Sequence, residues 1–203
     1  MDSLADARHK NPFAIFAEWY ADAQKTESND PNAMGLSTVD AAGRITSRMV
    51  LLKDFSEKGF VFYSHQKSDK GKALADNPKA ALLFHWKTLR RQIRIEGMVS
   101  QIKDEEVDVY FHSRSIDSQI GAWASAQSSI MAHPDDLKKS FLVYQKKFAK
   151  YIASGKIPRP DDWCGWCLVA TRIEFWQDRP HRLHDRLVFI KNDKGFHSEI
   201  LYP

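Results

Sequence analysis

The stretch "MGLSTVDAAGRITSRMVLLKDFSEKGFVFYSH", Met34 to His65, decides the fold class. Three runs rich in β-branched and aromatic residues, Met34–Asp40, Ile45–Phe55 and Phe60–His65, are separated by the turn clusters "AAGR" and "SEKG". Runs of this length with Gly-containing turns predict a meander of antiparallel strands. Further strands are predicted outward from it: "AALLFHWKTL", "RRQIRIEGMVSQI", "WCLVATRIEFWQ", "DRLVFIKND" and "HSEILYP".

Helices punctuate these strands without alternating with them. One spans about residues 11–25, with Asn11 as N-cap and Pro12 at its first position. Ser68 caps "DKGKALAD", which stops before Pro78, and Asp104 is predicted to cap "EEVDVYFHSR". "SIDSQIGAWASAQSS" is helical in part. Leu137, Phe141, Tyr144, Phe148 and Ile152 mark the apolar stripe of an amphipathic helix. This order argues against a doubly wound parallel sheet. It predicts a mainly β protein, an antiparallel barrel with peripheral helices, in one domain over 1–203.

Composition narrows the class. With 43% hydrophobic and 28% charged residues, the chain reads as a soluble globular protein. No apolar run reaches the roughly 18 residues of a membrane helix, and "MDSLADARHKNPF" lacks the apolar segment of a secretory signal. Two cysteines make no disulfide framework, so a cytoplasmic, reducing setting is expected. The net charge of +4 favours no partner by itself.

Both cysteines fall in "WCGWC", Trp163–Cys167, and "HRLH" follows at His181–His184. A redox pair needs its first cysteine at a helix N-terminus, but a strand is predicted here. On a strand, residues three apart point to opposite faces, with Cα atoms roughly 10 Å apart against a disulfide limit of about 7 Å. A zinc finger needs three to five residues between its histidines, on a helix. Here the gap is two residues, after Pro180. Neither a dithiol nor a metal site is expected.

Cations and hydroxyls that interrupt the strands point elsewhere. Arg48 and Lys53 bracket "MVLL"; five residues apart, they face opposite sides of a regular strand unless a bulge intervenes. Lys67, Lys70 and Lys72 surround the helix start at Ser68, a natural anion site. Tyr110, Arg114 and Ser118 recur every four residues and suit a phosphate monoester if they share a helical face. Gln127–Ser129 add small donors. "EFWQDRPHRLHDR" crowds Trp176, Arg182, His184 and Arg186 into a stretch that is poor core material.

With "SRMVLLK", "FVFYS", "RRQIRIEG", "YFHSRSIDSQIGAWASAQSS" and "EFWQ…HRLHDR" in view, the chain resembles the pyridoxamine 5′-phosphate oxidase family from about Asn11 onward. The resemblance implies a split β-barrel that forms a homodimer with FMN in clefts at the subunit interface, and C-terminal strands from about 166 to 203 that complete the site. It implies that Arg48, Lys70 and Ser128 hold the FMN phosphate. Met49, Val50, Leu51, Leu52, Lys53, Tyr63, Ser64, Gln92, Gln127, Trp176 and Arg186 would form the rest of the flavin site, in part from the second subunit. Lys53, Tyr110, Arg114 and Ser118 would grip the substrate phosphate, and Arg182 and His184, the catalytic pair, would lie over the pyridine ring. The implied reaction oxidises pyridoxamine or pyridoxine 5′-phosphate at C4′, with FMN as hydride acceptor and O₂ reduced to H₂O₂.

The chain departs from the family pattern at a few positions. Asp69 stands where Arg is common, which predicts weakened FMN binding. "GWC" replaces "GGYR" or "GGFR", "WQD" at Asp178 replaces "WQG", and the terminus is "ILYP". Alternatives are a flavin oxidase of the phenazine-pathway type and a flavin- or pyridoxal-phosphate-binding carrier without turnover. Nothing in the motifs requires nucleic acid or a membrane.

Overall fold

The computed structural model describes residues 4–152 and 154–203; residues 1–3 and 153 of the expected single domain lie outside them. Helix α1, Pro12–Thr26, starts where expected, with the Asn11 side chain accepting the Phe13 N–H at 2.9 Å. Its buried face, Ile15, Phe16, Trp19 and Ala23, packs into the main hydrophobic core. Phe16 sits edge-on to both Phe60 and Phe84, at 5.0 and 5.3 Å between ring centres.

Among the described residues, nine strands form the sheet: β1 Ala33–Val39, β2 Ile45–Leu51, β3 Asp54–Ser56, β4 Gly59–His65, β5 Lys79–Trp86, β6 Arg91–Gln101, β7 Trp163–Gln177, β8 Asp185–Asn192 and β9 Gly195–Ile200. All pair antiparallel, but not as the sequential meander expected. The order is β2-β1-β5-β6-β7-β4-β3, with β8 and β9 continuing from β7. Strand β7 is shared. Along one edge its first half pairs with β4 through Leu168 and its second half with β8 from Arg172, while β6 follows nearly its whole length on the other. A register shift at Glu96/Gly97 bends this ribbon. A Cβ at Gly97 would lie 2.1 Å from the Val169 carbonyl oxygen, so only glycine allows that approach.

The remaining helices are α2 Asp69–Asp76, α3 Asp104–Ser113, α4 Ile116–Ala124, α5 Asp136–Lys147 and α6 Ala149–Ile152. Three local expectations are corrected. Asp104 is the first helical residue rather than the cap, and its carboxylate meets Arg159 at 2.8 Å. The stripe from Leu137 to Ile152 is broken at Phe148, whose burial draws the chain inward between α5 and α6. The run Ile45–Phe55 divides at Leu52–Lys53. There the Leu52 side chain enters the core, its N–H donates to Asn32, and the next N–H donates to Val61 on another strand. Among the described residues no helix is long and apolar enough to cross a membrane.

Candidate active site

The break after β2 shapes a cleft of about 940 Å³ between the β2 edge, β4, the start of α2 and the α3–α4 corner. Arg48 and Lys53 both line it because the break cancels the alternation that would have turned them apart. Met49, Val50, Leu51, Tyr63, Ser64, Lys70, Tyr110, Arg114, Ser118, Gln127 and Ser128 line it as well. Leu52 does not: its side chain is 3% exposed and belongs to the core. Four cations face one carboxylate, Asp69.

Lys70 is the most constrained of these cations. Ser68 caps α2 as expected, its hydroxyl accepting the Gly71 N–H at 3.3 Å and donating to His65 O at 2.7 Å. The cap points the first turn into the cleft. Lys70 Nζ donates to Gln127 Oε1 at 2.7 Å, Ser64 Oγ at 3.0 Å and Ser68 Oγ at 3.2 Å, all uncharged. Burial pulls its pKa down to about 8, with Arg48 pushing the same way and Asp69 opposing. Burial also lowers Arg48, whose guanidinium donates to Leu36 O, Thr38 Oγ1 and Thr46 Oγ1. Two neighbouring cations held by neutral acceptors make a site for an anion.

A second cationic pocket lies beyond a stack of rings. The rings of Tyr63, Tyr110 and Trp163 cluster with near-parallel planes, Tyr63 lying 4.0 Å from Tyr110 and 5.2 Å from Trp163, within 14° of each. Burial raises the Tyr63 hydroxyl to about 12, keeping it a neutral donor. Lys53 Nζ stands 5.9 Å from the Tyr110 ring centre, and the Arg114 guanidinium 4.9 Å from that of Trp163. Arg114 Nη1 is buried without a hydrogen-bond partner, an orphaned donor that an oxyanion in the cleft would satisfy. The common helical face expected for Tyr110, Arg114 and Ser118 is not formed. Arg114 ends α3, and Ser115 caps a new helix by accepting the Ser118 N–H. The corner still brings all three to one wall.

Trp163 was missed as a site residue. "WCGWC" contributes its first tryptophan, not its thiols. Both cysteines are free on β7, their sulfurs near different carbonyls, Ser64 and Lys58, and burial pushes Cys164 up to about 12. No sequence spacing marks Trp163, because its partners come from β4 and α3. Arg159 was missed too; it fixes this corner through Asp104, Asp108 and the Trp163 carbonyl.

Besides Leu52, five expected site residues lie outside this cleft. Gln92, Trp176 and Arg186 face one another in register across β6, β7 and β8. His184 packs on Trp176 with ring centres 4.7 Å apart. Arg182 is exposed on the short 3-10 turn Pro180–Arg182, where His181 and Arg182 both adopt positive φ, 58° and 61°. Arg186 is held by Glu174 at 2.8 Å and by Tyr202 O at 3.0 Å.

Sheet and cleft together define the class, a split β-barrel with a cleft lined by cations. Among solved structures, PhzG from Burkholderia lata, crystallised with tetrahydrophenazine-1-carboxylic acid, is 27% identical with a TM-score of 0.89, covering 100% of this chain and 98% of its own. A pyridoxamine 5′-phosphate oxidase-related, FMN-binding protein from Nostoc punctiforme shares the fold, with a TM-score of 0.74 at 16% identity over 95% and 98% of the two chains. The chain belongs to the pyridoxamine 5′-phosphate oxidase family. That family's model matches residues 20–147, and the model described as the pyridoxine 5′-phosphate oxidase C-terminal dimerisation region matches 163–203. The protein from Bradyrhizobium sp. named pyridoxine/pyridoxamine 5′-phosphate oxidase is 52% identical, over 91% of this chain and 83% of its own. The protein of that name from Caulobacter vibrioides is 53% identical, over 96% and 86%.

Proposed function

We propose that the protein is an FMN-dependent oxidase that converts pyridoxamine 5′-phosphate, pyridoxine 5′-phosphate or both to pyridoxal 5′-phosphate. The observation that carries this reading, beside family membership, is one cleft with two cationic centres. Arg48 and Lys70 form one; Lys53 and Arg114, with its orphaned Nη1, form the other. A flavin mononucleotide and a phosphorylated vitamer bring one phosphate each. Bound FMN supplies the two-electron acceptor, and O₂ takes the electrons on, leaving as H₂O₂.

The protein's own part is binding and orientation. Lys70, Arg48 and Ser128 hold the cofactor phosphate, and the Lys70 bonds to Ser64 and Gln127 keep its ammonium aimed. Met49, Val50 and Leu51 furnish apolar wall along the β2 edge. Leu52, with its side chain in the core, contributes only backbone. Tyr110, Arg114, Ser118 and Lys53 grip the substrate phosphate. Gln92, Trp176, Arg182, His184 and Arg186 lie away from the cleft of their own chain, which supports a homodimer in which they complete the cleft of a second copy. Arg182 and His184 then hold the substrate ring. Two free cysteines support a cytoplasmic setting.

The test is the visible spectrum of the FMN-loaded protein on anaerobic addition of pyridoxamine 5′-phosphate. The oxidised-flavin band is expected to bleach, then return in air with pyridoxal 5′-phosphate and H₂O₂. A band that persists would overturn the assignment of substrate and send the search to other flavin reactions.

A further inference from the structure

The turn that carries His184 holds a contact that the reading above does not use. Asp178 Oδ1 lies 3.1 Å from His184 Nδ1, and both side chains are largely buried, at 15% and 22% exposed. The backbone N–H of Arg179 points at the same nitrogen from 3.2 Å. The two neighbours make opposite demands. An N–H donates only to a bare Nδ1, whereas a carboxylate accepts only from Nδ1–H. A bare Nδ1 would set its lone pair against a carboxylate oxygen. A charge-assisted bond is also roughly twice as strong as a neutral one, so the carboxylate prevails.

Asp178 is itself fixed before it meets the imidazole. Its N–H donates to Arg90 O at 3.1 Å, and its carboxylate pairs with the Arg90 guanidinium. Across the turn, Arg179 pairs with Asp185 at 2.8 Å. These ties brace a loop whose centre holds two residues at positive φ, His181 and Arg182.

We propose that Asp178 is a positioning residue for His184: its carboxylate holds the imidazole in the Nδ1–H tautomer, seats it on Trp176, and leaves Nε2 as a bare acceptor for the substrate. The inference rests on the reading of His184 as a site residue. A carboxylate behind an imidazole fixes both ring orientation and which nitrogen is free.

The experiment uses the FMN-loaded protein labelled with ¹⁵N-histidine, at about pH 8.5, where a neutral imidazole reports its tautomer. His184→Gln identifies the resonances. Native His184 is expected as Nδ1–H. In Asp178→Ala the Arg179 N–H becomes the remaining partner of Nδ1, and the signal is expected to switch to Nε2–H. Turnover of pyridoxamine 5′-phosphate should then fall roughly tenfold or more, with KM changing far less. Asp178→Asn, which keeps a neutral acceptor, should recover part of the loss. Arg90→Ala removes the ion pair but not the carboxylate, and is expected to keep Nδ1–H. A native Nε2–H tautomer would overturn the proposal even if Asp178→Ala failed to fold, as would an alanine variant with unchanged tautomer and turnover. An unchanged kcat in His184→Gln would instead remove the reading on which the proposal rests, whatever the tautomer.

Discussion

Replacing Lys70 by methionine should stabilise the ligand-free protein and cripple its hold on FMN. The side chain is 8% exposed, its partners are neutral, and burial brings its pKa from 10.5 to about 8. That difference corresponds to roughly 3 kcal/mol of strain in the charged form, trimmed to about 2 kcal/mol by solvent at the cleft mouth. Methionine removes this strain but loses the ammonium hydrogen bonds. Ser64 and Ser68 keep other partners, so the expected net gain is about 1 kcal/mol at pH 7. The pH dependence has a definite sign. Between about pH 8 and 10.5 the unfolded chain keeps the Lys70 proton while the folded chain has lost it, so native stability rises with pH across that window. The advantage of Lys70→Met should therefore shrink over the same window. FMN affinity, read by flavin fluorescence, should fall about 10- to 100-fold for loss of a bond to a charged phosphate. Urea denaturation of both apo-proteins at pH 7 and pH 10 checks the stability. A variant that is less stable at pH 7, or whose difference from the native protein ignores pH, would refute the reasoning.

Burial lowers both Arg48 and Lys70 and the Asp69 carboxylate opposes that shift, which keeps them protonated but sets a negative charge beside them and so reduces the positive potential that an anion meets. Asp69→Arg is expected to tighten FMN several-fold; equal or weaker binding in a fluorescence titration would sink the idea. At Gly71 a Cβ would sit 2.3 Å from Gln66 O and 2.6 Å from His65 O, both backbone. Gly71→Ala should cost about 1–3 kcal/mol in a thermal melt and loosen FMN, because the first turn of α2 must shift. Arg114→Lys keeps the charge but loses the buried Nη1, so KM for pyridoxamine 5′-phosphate should rise about tenfold with FMN affinity unchanged. Burial pushes both thiols upward, Cys164 to about 12, so a disulfide reagent at pH 8 should react slowly, and first at half-buried Cys167. Rapid labelling of Cys164, followed by mass, would contradict this.

Local chemistry was legible along the chain, and long-range chemistry was not. Asn11 and Ser68 cap helices as their side chains dictate, and the strand runs appear where β-branched residues and turn glycines place them. Each of these rests on interactions within a few residues, which sequence contains in full. That Ser68 and Lys70 come together at the start of α2 was readable for the same reason, since cap, lysine and helix start are neighbours in the chain; Lys67 and Lys72, expected beside them, do not line the cleft. Where Arg48 and Lys53 point was not readable, since it depends on Leu52 being drawn into the core between two unrelated strands. Nor was the corner at Arg114, where two helices deliver Tyr110 and Ser118 to one wall. Trp163 and Asp178 belong to the same class. One joins the site through a stack with Tyr63 and Tyr110, the other meets His184 across a strained turn. By itself, then, the sequence determined most of the elements, the caps at Asn11 and Ser68, the family and the kinds of residue suited to a phosphate. Only the tertiary structure decided which of those residues share a cleft, because strand order and the break after β2 follow from burial over the whole barrel rather than from any local spacing.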